Sequence, residues 1–258
     1  MCYIVNRNVV IILKIEKYKK LANGQYQIIL TNKTINLYEE VILKYELLYK
    51  KDISKELLDR IISTNDYWFV YYTALKYLKV KARSKGEVYR YLKSKDLKIE
   101  FIEYNIDSLE KQGYINDERY ASSFLNLRLL TTSKGPLKIK RELIDKQIDG
   151  NIIDKIMLSY TKEIEEEKIN KVVAKKIKSN HNKSNTILKQ KIINDLLTDG
   201  FSKELVLGVV NNLKFSEDSE IRRREYDKIH KKLSRKYKGE ELLFNIKQKM
   251  YQKGFKDE

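Results

Sequence analysis

The sequence is poor in the residues that build disulfide-bonded and metal-bound scaffolds. Its 258 residues include one cysteine, Cys2, with two histidines, one proline and nine glycines. A single thiol excludes an intrachain disulfide, and we expect a reducing cytosol as the compartment. His181 and His230 lie far apart among lysines, so neither a His/Cys metal cluster nor a Cys-His nucleophile pair can be assembled.

Long apolar runs and phosphate-binding loops are also missing. The apolar run from Val9 to Leu13 ends at Lys14, which makes it too short for a signal-peptide core or a membrane span. Neither GxxxxGK nor GxGxxG occurs. Carboxylate-only metal sites stay open because Asp and Glu total 36, although most of these alternate with lysine. We expect a soluble, cytoplasmic protein with no cofactor and no metal, one that is not an enzyme.

What the chain has in excess is positive charge. Lys and Arg total 53 against 36 acidic residues, giving a net charge of +17 and a pI near 9.5. Such a balance favours a polyanionic partner, which is either nucleic acid or an acidic groove on a protein. AT-rich genomes also load proteins with Lys, Ile, Asn and Tyr, and this gives a second explanation for the charge.

The segment from Ala74 to Ala121 predicts three short helices joined by basic turns. Apolar residues recur there at helical spacing, and Gly86 and Gly113 fall between the helices, where a residue tolerant of positive φ can end one helix or open a turn. Each helix therefore has one apolar face. The residues that define these faces are Leu75, Leu78, Val88, Leu92, Ile102, Ile106 and Leu109.

This segment resembles the RecX family, the regulators of the bacterial recombinase RecA. The resemblance rests on a helix that ends in ALKYL, from Ala74 to Leu78, on the Arg83-Ser84 turn, and above all on GYINDERYA from Gly113 to Ala121. It implies a DNA repair and recombination protein of the SOS response. Such a protein binds along the groove of the RecA filament on single-stranded DNA, inhibits or remodels it, and limits strand exchange and ATP turnover.

A repeat with a period of about fifty residues extends this pattern along the chain. Similar segments end in the apolar anchors Leu97, Ile148, Phe201 and Phe255, which are 51, 53 and 54 residues apart by subtraction of their numbers. Such a period predicts tandem modules that stack on their neighbours. The resemblance implies the same architecture, a mainly α fold of three-helix repeats in an elongated, curved array. We assign residues 65–114, 115–161 and 162–215 to repeats 1 to 3 and residues 216–258 to a partial repeat 4.

Residues 1–64 are predicted to form a separate N-terminal extension. Two β-rich runs, Val9 to Lys19 and Tyr26 to Thr31, flank Asn23-Gly24, which favours a tight turn between antiparallel strands. The pattern then predicts helices over Leu37 to Leu48 and Ser54 to Ile62, with Ser54 as N-cap. Longer members of the RecX family are similar in carrying a small strand-containing extension.

An aromatic run, NDYWFVYY from Asn65 to Tyr72, opens the first repeat helix and contains the single tryptophan, Trp68. Stacked aromatic rings could serve as a platform for nucleobases. We favour the alternative in which the rings pack a core, because dense aromatic clusters at helical spacing normally do so.

Basic clusters and turns near the anchored helices are the candidate sites for RecA and DNA. One such turn is Asn182-Lys183-Ser184. On a helix, four of the last cluster's cations (Lys228 to Arg235) lie at i, i+3, i+4 and i+7 and share a face. Phosphate neutralisation by such faces is salt-sensitive and nearly blind to sequence. The candidate residues are Lys79, Lys81, Arg83, Lys85, Arg90, Lys134, Lys138, Lys140, Arg141, Arg222, Arg223, Arg224, Lys228, Lys231, Lys232 and Arg235.

Two alternatives to this function stay open at the level of sequence. A lysine-rich helix face is often only a solvated one. Three short helices with glycine-bearing turns also build helix-turn-helix proteins, so a nucleic-acid-binding protein of that type or of nucleoid type, acting without RecA, is the competing hypothesis. Four comparable modules fit it poorly. We expect as partners a RecA filament and, weakly and without sequence preference, single- or double-stranded DNA, with no membrane and a monomeric chain.

Overall fold

The computed structural model describes residues 2–5, 8–180, 183–213 and 219–255. His181 and Asn182 lie outside these ranges, as do residues 214–218 at the predicted boundary of repeats 3 and 4. The fold is mainly α-helical with a small N-terminal antiparallel sheet, as predicted. The chain divides into two compact units, Met1–Asp117 and Glu118–Glu258.

The sheet contains the predicted hairpin but is larger than predicted. In the described part of the chain it has five strands, in the order β1-β2-β3-β4 with β5 also paired to β2, and all pairs are antiparallel. A hairpin alone is marginally stable, and β4 and β5 add Leu37 and Ile53 to the same buried core. The strands are β1 (Cys2–Val5), β2 (Asn8–Lys20), β3 (Tyr26–Leu30), β4 (Lys33–Leu37) and β5 (Asp52–Ser54).

The loop between β2 and β3 closes across Leu21 and Gln25 with three residues between them, one more than in the tight Asn-Gly turn we predicted. Gly24 N donates to Leu21 O at 3.1 Å, and Leu21 N donates to Gln25 O at 2.8 Å. Gly24 has φ +83°, the left-handed conformation that completes such a loop. The Asn-Gly pair therefore marks the turn correctly, but its position in the turn differs.

The helix predicted over Leu37 to Leu48 is wrong at both ends. Leu37 is the last residue of β4, and the helix α1 covers only Glu39–Lys44. Glu46 takes a left-handed φ of 47°, which ends the helical path before a short 3-10 turn, Leu47–Tyr49. Leu47 is nevertheless buried in the sheet core, so the apolar spacing was a signal of burial rather than of a continuous helix.

Helix α2, Lys55–Val80, runs through the predicted boundary between residues 64 and 65. Ser54 caps it as predicted, since its hydroxyl oxygen accepts a hydrogen bond from Leu57 N at 3.2 Å. Ile61, in its first half, is buried in the sheet core, whereas Val70 and Ala74, in its second half, are buried in a helical core. One continuous helix thus belongs to both cores.

The remaining helices form groups, each around its own buried core. The first group is the second half of α2 with α3 and α4, the second is α5 to α7, the third is α8 to α10, and the fourth is α11 and α12. Each core contains one predicted anchor. The helices are α3 (Lys85–Lys93), α4 (Ile99–Lys111), α5 (Asp117–Thr131), α6 (Pro136–Asp145), α7 (Gly150–Met157), α8 (Lys162–Lys178), α9 (Asn185–Thr198), α10 (Lys203–Asn211), α11 (Ser219–Leu233) and α12 (Gly239–Gln252).

A shared turn geometry explains why the four anchor segments look alike in sequence. The residue before each anchor has a left-handed φ between 56° and 84°. At Phe201 and Ile148 the anchor's N–H bonds back to the carbonyl five residues earlier, at 3.1 and 3.3 Å. This is the Schellman ending of a helix, whose last apolar residue folds back onto the helix it terminates. The left-handed residues are Asp96, Gln147, Gly200 and Gly254.

Gln147 is less suited to this backbone conformation than Asp96, the other residue of the four that is not glycine, because it has no short side chain to bond locally. We expect Gln147→Gly to raise the free energy of unfolding by about 1 kcal/mol, since glycine adopts φ 59° without the steric cost of a Cβ. Urea denaturation followed by circular dichroism measures the change. Gln147→Ala is the matched control and should bring no such gain, because alanine keeps the Cβ.

The N-terminal ends of α6 and α9 each dock on the anchor turn of the following group. Gly135 N donates to Asp199 O at 2.8 Å, and Leu137 N donates to Gly200 O at 3.0 Å. A Cβ on Gly135 would lie 2.4 Å from backbone atoms of Gly200. In the next group, a Cβ on Gly254 would lie 2.4 Å from the hydroxyl of Ser184, the N-cap of α9. Groups two to four therefore contact one another through the same kind of end-to-end contact.

Candidate polyanion-binding surface

The first basic cluster, at the end of α2 and the start of α3, is only partly available to a ligand. Lys85 Nζ pairs with Glu110 at 2.8 Å and with Asp107 at 3.4 Å, and its hydrogen bond to Glu110 raises the pKa of Lys85. The guanidinium of Arg83 lies over the ring of Tyr77 at 4.2 Å and is half-buried. Three candidates of this cluster are exposed, namely Lys79, Lys81 and Arg90.

The second basic cluster is largely neutralised by carboxylates of its own unit. Lys138 pairs with Asp199 at 2.9 Å, Lys140 pairs with Asp154 at 2.6 Å, and Lys134 pairs with Glu142. Arg141, by contrast, is exposed on α6. Three of the four candidate cations here are thus paired with the protein's own carboxylates.

Glu142 shows how strongly this cluster is engaged. Burial alone would raise the pKa of Glu142, but the hydrogen bond from Lys134 and the nearby charge of Arg128 outweigh that effect and hold its pKa below the usual value. Arg128 Nε donates to Glu142 at 2.8 Å. A ligand phosphate would have to compete with this carboxylate for both cations.

The third basic cluster, on α11, presents the largest number of exposed cations. Arg223, Lys231 and Lys232 are exposed, and Arg224 lies 3.8 Å from Glu220. The predicted shared face is wrong in one member: α11 ends at Leu233, so Arg235 lies in the turn after the helix. Arg222 is half-buried.

Glu225 fixes one side of this cluster. Its side chain is 4% exposed and accepts hydrogen bonds from Lys228 at 2.8 Å and from Lys253. Those two hydrogen bonds hold the pKa of Glu225 below its usual value. Lys228 is therefore paired within α11, although most of its side chain remains exposed, and Lys253, directly after α12, joins α12 to the same carboxylate.

Seven of the candidate cations are exposed and lie more than 4.0 Å from every carboxylate that the structure describes. They occur at the end of α2, on α6, on α11 and directly after α11, and they carry the charge that a polyanion could meet. Sequence reasoning did not separate them from the paired cations, because it does not show which carboxylate each cation meets: Lys228 pairs with a residue 3 positions away, but Lys138 pairs with Asp199, 61 positions away. The seven are Lys79, Lys81, Arg141, Arg223, Lys231, Lys232 and Arg235.

The aromatic run on α2 packs mainly against the protein itself, as the packing interpretation predicted. Trp68 packs on the sheet core and meets the rings of Tyr67 and Tyr71 edge to face, each with centroids 5.3 Å apart. Tyr72 stacks on Tyr38 at 4.8 Å. The most exposed rings of this run are Phe69, at 47%, and Tyr72, at 38%.

Neither a metal centre nor a membrane span occurs among the residues that the structure describes. Within the described ranges, no three His, Cys, Asp or Glu side chains are placed to hold a metal ion. Nor does any helix in them combine the length and the apolar character needed to cross a membrane.

The fold and the segment around α5 to α7 define a protein built from RecX-type three-helix domains. The family model described as "RecX, second three-helix domain" matches residues 116–157. This segment covers most of the second helix group and contains the Asn116-to-Ala121 part of the motif on which the resemblance was based.

Whole-chain relatives extend this match. A "Regulatory protein RecX" of Streptococcus agalactiae is 32% identical over 253 residues, covering 96% of this chain and 95% of the relative. The "Regulatory protein RecX" of Halalkalibacterium halodurans is 29% identical over 254 residues, covering 95% of each. The chain belongs to the RecX family of regulatory proteins.

Solved structures agree with this assignment. A crystal structure of regulatory protein RecX superposes with a TM-score of 0.67 at 27% identity and covers 78% of this chain and 100% of its own. The RecX structure from Lactobacillus salivarius superposes with a TM-score of 0.55 at 32% identity, covering 58% of this chain and 97% of its own.

Proposed function

We propose that this protein binds RecA filaments and modulates or inhibits their recombinase activity during DNA repair and recombination. The observation that carries the proposal is the match to RecX regulatory proteins along nearly the whole chain. The protein is proposed to act without chemistry of its own, as a monomer in the cytoplasm. Binding and not catalysis would then account for its effect on the filament.

The second unit supports this proposal through its repeated contacts. Helix groups two to four join through the same kind of end-to-end contact, at Gly135 with Gly200 and at Ser184 with Gly254. A filament also repeats one subunit at fixed intervals. Successive groups can therefore touch successive protomers, and weak contacts that are linked in one chain add up to strong binding.

The seven exposed, unpaired cations support a secondary contact with the filament's DNA. They lie at the end of α2, on α6, on α11 and directly after α11, without a local carboxylate among the described residues to neutralise them. Contacts of this kind are to phosphates, so binding to free DNA should be weak, salt-dependent and independent of base sequence.

The decisive experiment adds the full chain to preformed RecA filaments on single-stranded DNA and follows ATP hydrolysis and strand exchange. We expect both rates to fall as the chain approaches the molar concentration of RecA. Unchanged rates at that ratio would reject the proposal.

The competing function is RecA-independent binding to nucleic acid, of helix-turn-helix or nucleoid type, and the net charge of +17 is the observation in its favour. A gel-shift series against specific and random duplexes separates the two. Tight duplex binding with a sequence preference, in the absence of RecA, would favour the competitor.

A further inference from the structure

One position recurs between the first and third helices of helix groups one to three. The first helix of each group buries two apolar residues four positions apart, and the position of interest lies three residues before the first of them. On the third helix, the facing position lies two residues after a buried Ile or Val. The pairs of buried residues on the first helices are Val70 and Ala74, Ala121 and Leu125, and Ile169 and Val173.

In the first two groups, a pair of the protein's own side chains closes this position. In the first group, Tyr67 and Tyr104 meet edge to face with ring centroids 5.4 Å apart. In the second group, Glu118 forms an ion pair with Lys155. An aromatic contact in one group and an ion pair in the other thus fill the equivalent space between the first and third helices.

In the third group the same position is open. Glu166 occupies the place of Glu118, but Gly208 stands where the second group has Lys155. Nothing lies within 4 Å of the point where a Cβ of Gly208 would be. Within the described ranges, Glu166 has no cation within 4.0 Å. The result is a groove of about 550 Å³ between α8 and α10.

The lining of this groove combines acidic and apolar groups. Glu166 and Glu204 supply two carboxylates, and Leu205 and Val209 supply an apolar wall. Acidic grooves are unexpected on a chain with a net charge of +17. A lysine or arginine side chain fits such a lining, because its methylene stem covers apolar surface while its charged end reaches a carboxylate.

We propose that the groove between α8 and α10 receives a lysine or arginine side chain of the partner protein, which takes the place that Lys155 fills in the second group. This inference rests on the proposed function, since the partner is a protomer of the RecA filament. A nucleic acid is disfavoured as occupant, because Glu166 and Glu204 repel phosphate. The proposal thus assigns this groove to protein and the exposed cations to DNA.

The test uses the full chain, fluorescently labelled, and measures its affinity for preformed RecA filaments by anisotropy. Glu166→Gln removes the carboxylate and is expected to weaken binding roughly tenfold. Gly208→Lys rebuilds the Glu–Lys pair of the second group, fills the groove and is expected to weaken binding at least as much. Thermal unfolding confirms that both variants are folded.

Glu163→Gln is the matched control, because Glu163 is exposed on the same helix one turn before the groove. It should bind as the unmodified chain does. Equal binding by all three variants would overturn the inference and leave the proposed function intact. Tighter binding by Glu166→Gln would also overturn it, since a polyanion would then occupy the groove. No binding by the unmodified chain would refute the proposed function itself.

Discussion

Replacing Gly135 with alanine is expected to lower the free energy of unfolding of the second unit by about 3 kcal/mol, the upper end for a side chain forced into a packed contact. The added Cβ would lie 2.4 Å from the carbonyl carbon and oxygen of Gly200 and from the amide nitrogen of Phe201. None of these is the flexible end of a side chain, so the backbone itself must move. Denaturation by urea, followed by circular dichroism, measures the decrease.

The backbone conformation of Gly135 makes this experiment specific. Its φ is −77°, which alanine adopts without strain, so any destabilisation comes from the contact with the next helix group. Gly150→Ala is the matched control, because Gly150 also opens a helix but nothing lies within 4 Å of its added Cβ. A decrease of equal size in both variants would contradict the end-to-end contact described above.

Replacing four exposed cations with glutamine is expected to weaken binding to single-stranded DNA by at least tenfold at low salt. The variant carries the changes at Arg223, Lys231, Lys232 and Arg235, none of which has a carboxylate partner among the residues described. Each phosphate that the variant no longer neutralises should also flatten the dependence of log affinity on log salt by roughly 0.7. Titrations at several salt concentrations give both quantities.

A second quadruple variant, with the same reduction of charge at cations that are paired inside the protein, is the control for this result. It changes Lys85, Lys134, Lys138 and Lys140 to glutamine, all of which lie in ion pairs. We expect it to lose stability while its salt dependence changes little. If the affinity of the two variants fell equally, net charge and not local geometry would govern binding.

The repeat could be predicted from the sequence because its cause is local. A Schellman ending needs an apolar residue directly after a left-handed one, and Gly200-Phe201 and Gly254-Phe255 show this pattern openly. In the second group the left-handed residue is Gln147 instead of glycine, but the apolar anchor Ile148 still lies at the repeat spacing. Local turn chemistry, repeated four times, therefore identified the helix groups before their packing was known.

The continuity of α2 could not be predicted, because its cause is tertiary. Asparagine is common at the start of a helix, and we predicted that the first repeat helix begins at Asn65. Its side chain instead accepts a hydrogen bond from Tyr38 N at 3.0 Å and donates one to Asn36 O at 3.2 Å. These bonds tie the middle of the helix to the end of the sheet, a contact 27 residues away that no local pattern reveals.

The candidate site was predictable only in part, because it also depends on tertiary contacts. Clusters of lysine and arginine are visible in any sequence, but their neutralisation depends on contacts across the fold. Lys138 meets Asp199 only because α6 docks on the end of α9. The open position at Gly208 depends on how α8 and α10 face each other, which the sequence of neither helix reveals.

The continuity of α2 affects how the first unit unfolds. Helix α2 has 26 residues, and it packs against the sheet with one half and in a helical core with the other. If either partner unfolds, apolar surface of α2 is exposed to water, which destabilises the whole helix and with it the other core. Amide protons of the N-terminal strands and of α4 should therefore exchange with solvent in a single cooperative opening event. Loss of the small sheet would then also expose the helices that pack on the second half of α2.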